Sequence, residues 1–100
     1  MILEHADIRI DPQKRDAFEE AILRGVTTVI APSKGFLGYK VRRSIESPGR
    51  YILTIRWATV EDHMVGFRAS DRFAQWRAIV GPYFVQPPVV EHLELISPTA

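Results

Sequence analysis

Two kinds of hydrophobic periodicity alternate along this chain, and their order constrains the fold more than any single motif. From Ile2 to Ile10 the repeat is two residues: Ile2, Ala6, Ile8 and Ile10 point one way, and Leu3, His5, Asp7 and Arg9 the other. That is the signature of a half-buried strand. Asp11-Pro12 then supplies an N-cap and a first-turn proline. Phe18, Ala21, Ile22, Gly25, Val26, Val29 and Ile30 follow at helical spacing as one apolar stripe, up to the stop at Pro32 and Ser33-Lys34-Gly35. Two more strands, 36–45 and 51–57, flank a Ser47-Pro48-Gly49-Arg50 turn, and the second turns Tyr51, Leu53, Ile55 and Trp57 to one face. Thr59 to Asp62 resembles a capping box. Behind it Val60, His63, Met64 and Phe67 fall on one helical side, and Phe73, Trp76 and Val80 follow after a break near Ser70-Asp71. Gly81-Pro82 stops this helix, and Val89 to Ile96 alternates as a last strand.

The order βαββαβ over one hundred residues predicts a single domain, 1–100, of the α+β class. It is the ferredoxin-like arrangement: a four-stranded antiparallel sheet with helices on one face and the first strand between the third and fourth. Packing Ile8, Ile10, Leu53, Ile55, Trp57, Leu93 and Leu95 on the helices leaves His5, Asp7, Arg9, Arg56, His92 and Glu94 on the other face, with Leu3, Ile52, Val90 and Ile96. A face of paired charges and branched apolar residues suits a second sheet, so a homodimer through those six polar residues is expected.

Charge excludes other partners. The net charge is +1, evenly spread, which gives no footprint for nucleic acid or an anionic membrane. The basic residues Lys40, Arg42, Arg43, Arg50 and Arg56 read as a protected strand edge. Lys34-Gly35-Phe36-Leu37-Gly38-Tyr39 imitates the start of an RNA-binding motif, but on the wrong strand. There is no cysteine, no apolar run long enough for a membrane span, and charge within the first ten residues where a signal peptide is apolar. A cytoplasmic location is expected.

The three histidines show no metal-ligand spacing, and no metal is expected. There is no phosphate loop and no GxSxG. His63 stands apart because it lies on the apolar stripe of its helix, near Trp57, Trp76 and Tyr83 in the expected fold. An imidazole in an aromatic pocket can act as acid or base near neutral pH, although a lone inward histidine also serves as ordinary core.

Gly35-Phe36-Leu37-Gly38-Tyr39, Trp57, His63 with Gly66-Phe67-Arg68 and Ser70, Phe73, Trp76 and Val90-Glu91-His92 together resemble the antibiotic biosynthesis monooxygenase (ABM) domain family. The resemblance runs over nearly the whole chain. It implies a dimeric α/β barrel and, among the family's activities, oxidation of phenols and quinols without a cofactor, haem degradation, or isomerisation of small metabolites. In a cofactor-independent monooxygenase of this kind, Trp57, Phe67, Phe73 and Trp76 would wall a pocket for a small aromatic molecule. His63 would take a proton, and Arg68 or Tyr83 would donate to the developing oxyanion. Two departures bear on this. The pocket asparagine of studied relatives has no counterpart, since the chain contains no asparagine, and the iron-binding histidine of haem-degrading relatives falls at Trp76-Arg77. The resemblance thus implies a monooxygenase-like oxidoreductase acting on a phenolic or quinol substrate. The alternatives are a non-catalytic dimer that binds a small ligand and an isomerase on the same scaffold.

Overall fold

The computed structural model describes residues 1–97; the last three residues of the expected domain lie outside them. The strands are β1 (Ile2–Arg9), β2 (Phe36–Arg43), β3 (Arg50–Trp57) and β4 (Val89–Leu93), and the α-helices are α1 (Arg15–Gly25) and α2 (Asp71–Val80). The sheet order is β2-β3-β1-β4, with every neighbouring pair antiparallel. This is the βαββαβ order read from the periodicities.

Local chemistry accounts for the element ends. The Asp11 carboxylate accepts from the Gln13 N–H at 3.0 Å, opening a 3₁₀ turn that leads into α1. Ser70 caps α2 by accepting from the Arg72 N–H, while its own hydroxyl donates to the Phe67 carbonyl at 2.6 Å. Gly49 turns the β2–β3 hairpin with φ at +82°, a conformation that β-carbon sterics make costly for other residues. Both helical regions contain a π-helical turn, Val26–Ile30 after α1 and Asp62–Phe67 before α2.

The whole α1 stripe is buried against the sheet face carrying Ile8, Tyr51, Leu53, Ile55 and Trp57. Each large apolar side chain withdrawn in this way contributes roughly 1.5–3 kcal/mol. Met64, expected inward, is exposed. The wide π turn closes from the Arg68 N–H to the His63 carbonyl at 2.8 Å, and it turns His63 and Phe67 to the core.

The last strand corrects the sequence expectation. β4 pairs His92 with Glu4 and Val90 with Ala6, so His92 and Val90 face the helix layer and not the open face. Leu93 pairs with Leu3 on the open side, β4 ends there, and Glu94, Leu95 and Ile96 are exposed beyond it. The physical reason is that Val-Val-Glu-His-Leu has no clean alternation. His92 turns inward because His63 bonds to it there.

Candidate functional site

The site is built around a residue that the periodicity places inward and the hydrophobic reading passes over. Glu4 shares the parity of Ala6 and Ile8 on β1, and it is 7% exposed. Two residues along β3 from Glu4's ladder partner Ile55 stands Trp57, whose indole N–H donates to Glu4 Oε1 at 2.9 Å. His63 Nε2 lies 3.2 Å from the same oxygen. His63 Nδ1 in turn lies 2.8 Å from His92 Nε2 on β4. A chain of contacts therefore runs from buried Glu4 through buried His63 to half-buried His92, across three elements distant in sequence.

Burial dominates the electrostatics. Withdrawal from water pushes the Glu4 carboxyl up to about 6, against the Trp57 hydrogen bond and the Arg68 charge, which both pull it down. Burial first, then the His92 and Arg68 charges, pushes His63 down to about 4. At neutral pH the Glu4–His63 contact is therefore a carboxylate accepting from a neutral imidazole. That assigns the His63 proton to Nε2 and leaves Nδ1 to accept from His92.

A cavity of about 180 Å³ opens beside this chain, between the sheet and the helices. Glu4, His63, Arg68 and Arg77 supply its polar lining, and Phe67, Phe73 and Trp76 its aromatic wall. Ala6, Ile8 and Leu53 line it from the sheet, and Phe84, Pro87, Pro88 and Val90 from the connection into β4. Arg68 and Arg77 lie 5.8 and 5.9 Å from the Phe73 ring centre, so two guanidiniums flank one aromatic wall.

The structure thus gathers five of the seven residues singled out from the sequence around one cavity: His63, Arg68, Phe67, Phe73 and Trp76. Trp57 stands behind them, stacked on His63 at 5.4 Å between ring centres and shielded from the cavity. Tyr83 lies elsewhere, edge-on to Phe18 at 5.8 Å, outside the cavity lining. Glu4 and His92 are the members of this cluster that sequence reasoning did not place in it. An acid at an inward strand position was the available signal for Glu4; His92 had none, because its face depends on register.

Fold and cavity together define a ferredoxin-like α+β domain with a buried carboxylate–imidazole pair beside the cavity. Residues 1–79 match the family model for antibiotic biosynthesis monooxygenase, and the chain belongs to that family. It is similar to the uncharacterised Bacillus subtilis (strain 168) protein YczJ, with 31% identity covering 94% of this chain and 98% of that one. Among solved structures, it resembles a Bordetella bronchiseptica protein assigned to the antibiotic biosynthesis monooxygenases, with 38% identity, a TM-score of 0.89, and 96% and 97% of the two chains covered. A Caulobacter crescentus CB15 protein with the same assignment follows at 27% identity and a TM-score of 0.80, with 96% of this chain and 90% of that one covered.

Haem does not fit the residues present. Trp76 and Arg77 offer iron no ligand, both His63 nitrogens are engaged, and the cavity is nearer benzene than a macrocycle in size.

Proposed function

We propose that this protein is a cofactor-independent monooxygenase-like oxidoreductase that oxidises a small phenolic or quinol substrate with dioxygen in the cavity beside His63. The observation that carries the reading is the cavity itself, with an aromatic wall on one side and a buried acid–imidazole pair on another. A cavity of roughly 150 Å³ holds benzene, so the volume of about 180 Å³ favours a single-ring substrate over a polycyclic one.

The chemistry needs no bound redox group. Removing a proton from the substrate makes an electron-rich anion that passes an electron to dioxygen, and recombination forms a carbon–oxygen bond. The resulting peroxide then takes up a proton from water, in place of the one first removed. It breaks its oxygen–oxygen bond and loses water, leaving a carbonyl on the ring. This chain's residues would hold the ring between Phe73 and Trp76, exclude water, accept the proton, and stabilise the anion with Arg68.

The open face of the sheet supports the dimer. Leu3 and Leu93 are cross-strand neighbours there, and toward the other end of β1 Arg50 grips Asp7 at 2.9 Å. A second copy packing on this face would cover Leu3, Ile52, Val89 and Leu93 within a polar rim. His5, Asp7, Arg9 and Arg56 remain in the proposed interface, and His92 leaves it.

The test is oxygen uptake with a panel of single-ring hydroquinones and three-ring anthrones. Uptake with the hydroquinones, reduced by His63→Ala, is the expected result. No uptake with any member would count against the reading.

A further inference from the structure

We infer that Glu4 is the proton acceptor of the cavity, and that His63 and His92 are its proton path to solvent. The inference deepens the oxidation reading above by assigning the base, and it rests on that reading for the source of the proton.

A base must offer a lone pair to the group it deprotonates. His63 has none to spare: Nε2 faces Glu4 at 3.2 Å and Nδ1 faces His92 at 2.8 Å, and the ring is 3% exposed. Glu4 is differently placed. Its Oε1 takes both protein donors, the Trp57 indole at 2.9 Å and His63. Among the described residues no hydrogen bond to Oε2 is formed, and since no fully buried side-chain polar atom lacks a partner, Oε2 is accessible from outside the protein core. Oε2 is the oxygen left for a ligand in the cavity that Glu4 lines.

Protons balance along the chain. The substrate O–H or C–H bond breaks, its electron pair stays on the substrate, and its proton forms an O–H bond on Glu4. For a protonated Glu4 to donate to His63 Nε2, both imidazoles take the other tautomer, with the His63 proton on Nδ1 facing a bare His92 Nε2 and the His92 proton on its own Nδ1. Passing one proton along each contact restores the carboxylate, returns the His63 proton to Nε2, and releases one proton from His92 to water. His92, half-buried on the edge strand, is the least enclosed of the three.

The groups that set this titration are few. Trp57 approaches Glu4 from β3, His92 from β4, and His63 and Arg68 from the segment before α2, while Arg77 of α2 lines the same cavity. Trp57 therefore reports on Glu4 directly, whether or not a substrate is known.

The experiment follows the ¹⁵N–¹H indole resonance of Trp57, identified by its loss in Trp57→Phe, from pH 4.5 to 8, beside turnover of a single-ring hydroquinone. In the wild type the resonance should titrate with a midpoint near 6, and in Glu4→Gln it should stay still. Turnover should fall by about 100-fold or more in Glu4→Gln and be partly kept in Glu4→Asp. His92→Phe should keep the Trp57 titration but lose turnover, and added imidazole should restore it. A titration that persists in Glu4→Gln, wild-type turnover in that variant, or failure of imidazole to rescue His92→Phe would each overturn the inference. If the wild type oxidises nothing, the oxidation reading fails, and an indole resonance that does not titrate separately overturns Glu4 as the proton-binding group of the cavity.

Discussion

The indole N–H of Trp57 and the carboxylate of Glu4 meet at 2.9 Å inside the core, Trp57 fully buried and Glu4 nearly so. A buried carboxylate without such a donor is costly, and a buried indole N–H without an acceptor is equally so. Trp57→Phe breaks the contact from one side. The variant should lose about 1–3 kcal/mol of stability in urea denaturation at pH 7. Because the Trp57 bond holds the Glu4 carboxyl down, its removal should also move the acid limb of kcat/KM to higher pH.

Stability against pH should separate the two buried titrating groups. Burial raises Glu4 from 4.5 to about 6 and lowers His63 from 6.5 to about 4. Between pH 4.5 and 6 folded Glu4 keeps a proton that the unfolded chain has lost, so its contribution falls by about 2 kcal/mol as pH rises. Between pH 4 and 6.5 folded His63 lacks a proton that the unfolded chain holds, so its contribution rises by about 3 kcal/mol. In the wild type the slopes should nearly cancel from pH 4.5 to 6. In Glu4→Gln the His63 slope stands alone, and stability should climb by about 2 kcal/mol over that range, read as a rising urea midpoint.

Gly25 lets α1 and α2 approach. A β-carbon there would sit 2.8 Å from Trp76 Cζ3, inside contact distance of a ring that lines the cavity. Alanine would add about 1 kcal/mol of helix propensity, but displacing Trp76 costs about 1–3 kcal/mol. Gly25→Ala should therefore lower the thermal midpoint and raise the substrate KM, with near-UV circular dichroism reporting the moved indole.

Leu93 tests the open face. It sits opposite Leu3 in the β1–β4 ladder and is 40% exposed. Leu93→Asp would place an unpaired charge in the proposed dimer interface without touching the cavity. Sedimentation at micromolar concentration should show a dimer for the wild type and a monomer for the variant. A monomeric wild type would remove the dimer from the account.

The layered fold was legible because the α1 stripe and the alternation in β1 and β3 are each enforced by one buried face. The cavity wall was legible for the same reason: Phe67, Phe73 and Trp76 follow from helical spacing. What stayed hidden depended on contacts between distant segments. Glu4 could be placed inward by parity alone, but its role depends on contacts with Trp57 and His63, which only the folded chain brings together. His92 was assigned to the wrong face because β4 is a short edge strand, where a shift of one residue reverses every side chain. Tyr83 was grouped with the site by its position in the chain, and packing on Phe18 took it elsewhere.

The oxidation proposed above takes place in the cavity between sheet and helices. Ala6 lines that cavity from the sheet and is 4% exposed, so Ala6→Leu fills the space without altering Glu4, His63 or Arg68. The decisive measurement is oxygen consumption with a single-ring hydroquinone by the wild type and by Ala6→Leu, with circular dichroism confirming that the variant is folded. Oxidation in this cavity predicts one dioxygen consumed per substrate by the wild type and loss of uptake in the variant. Uptake by folded Ala6→Leu at the wild-type rate, or none by the wild type, would contradict it.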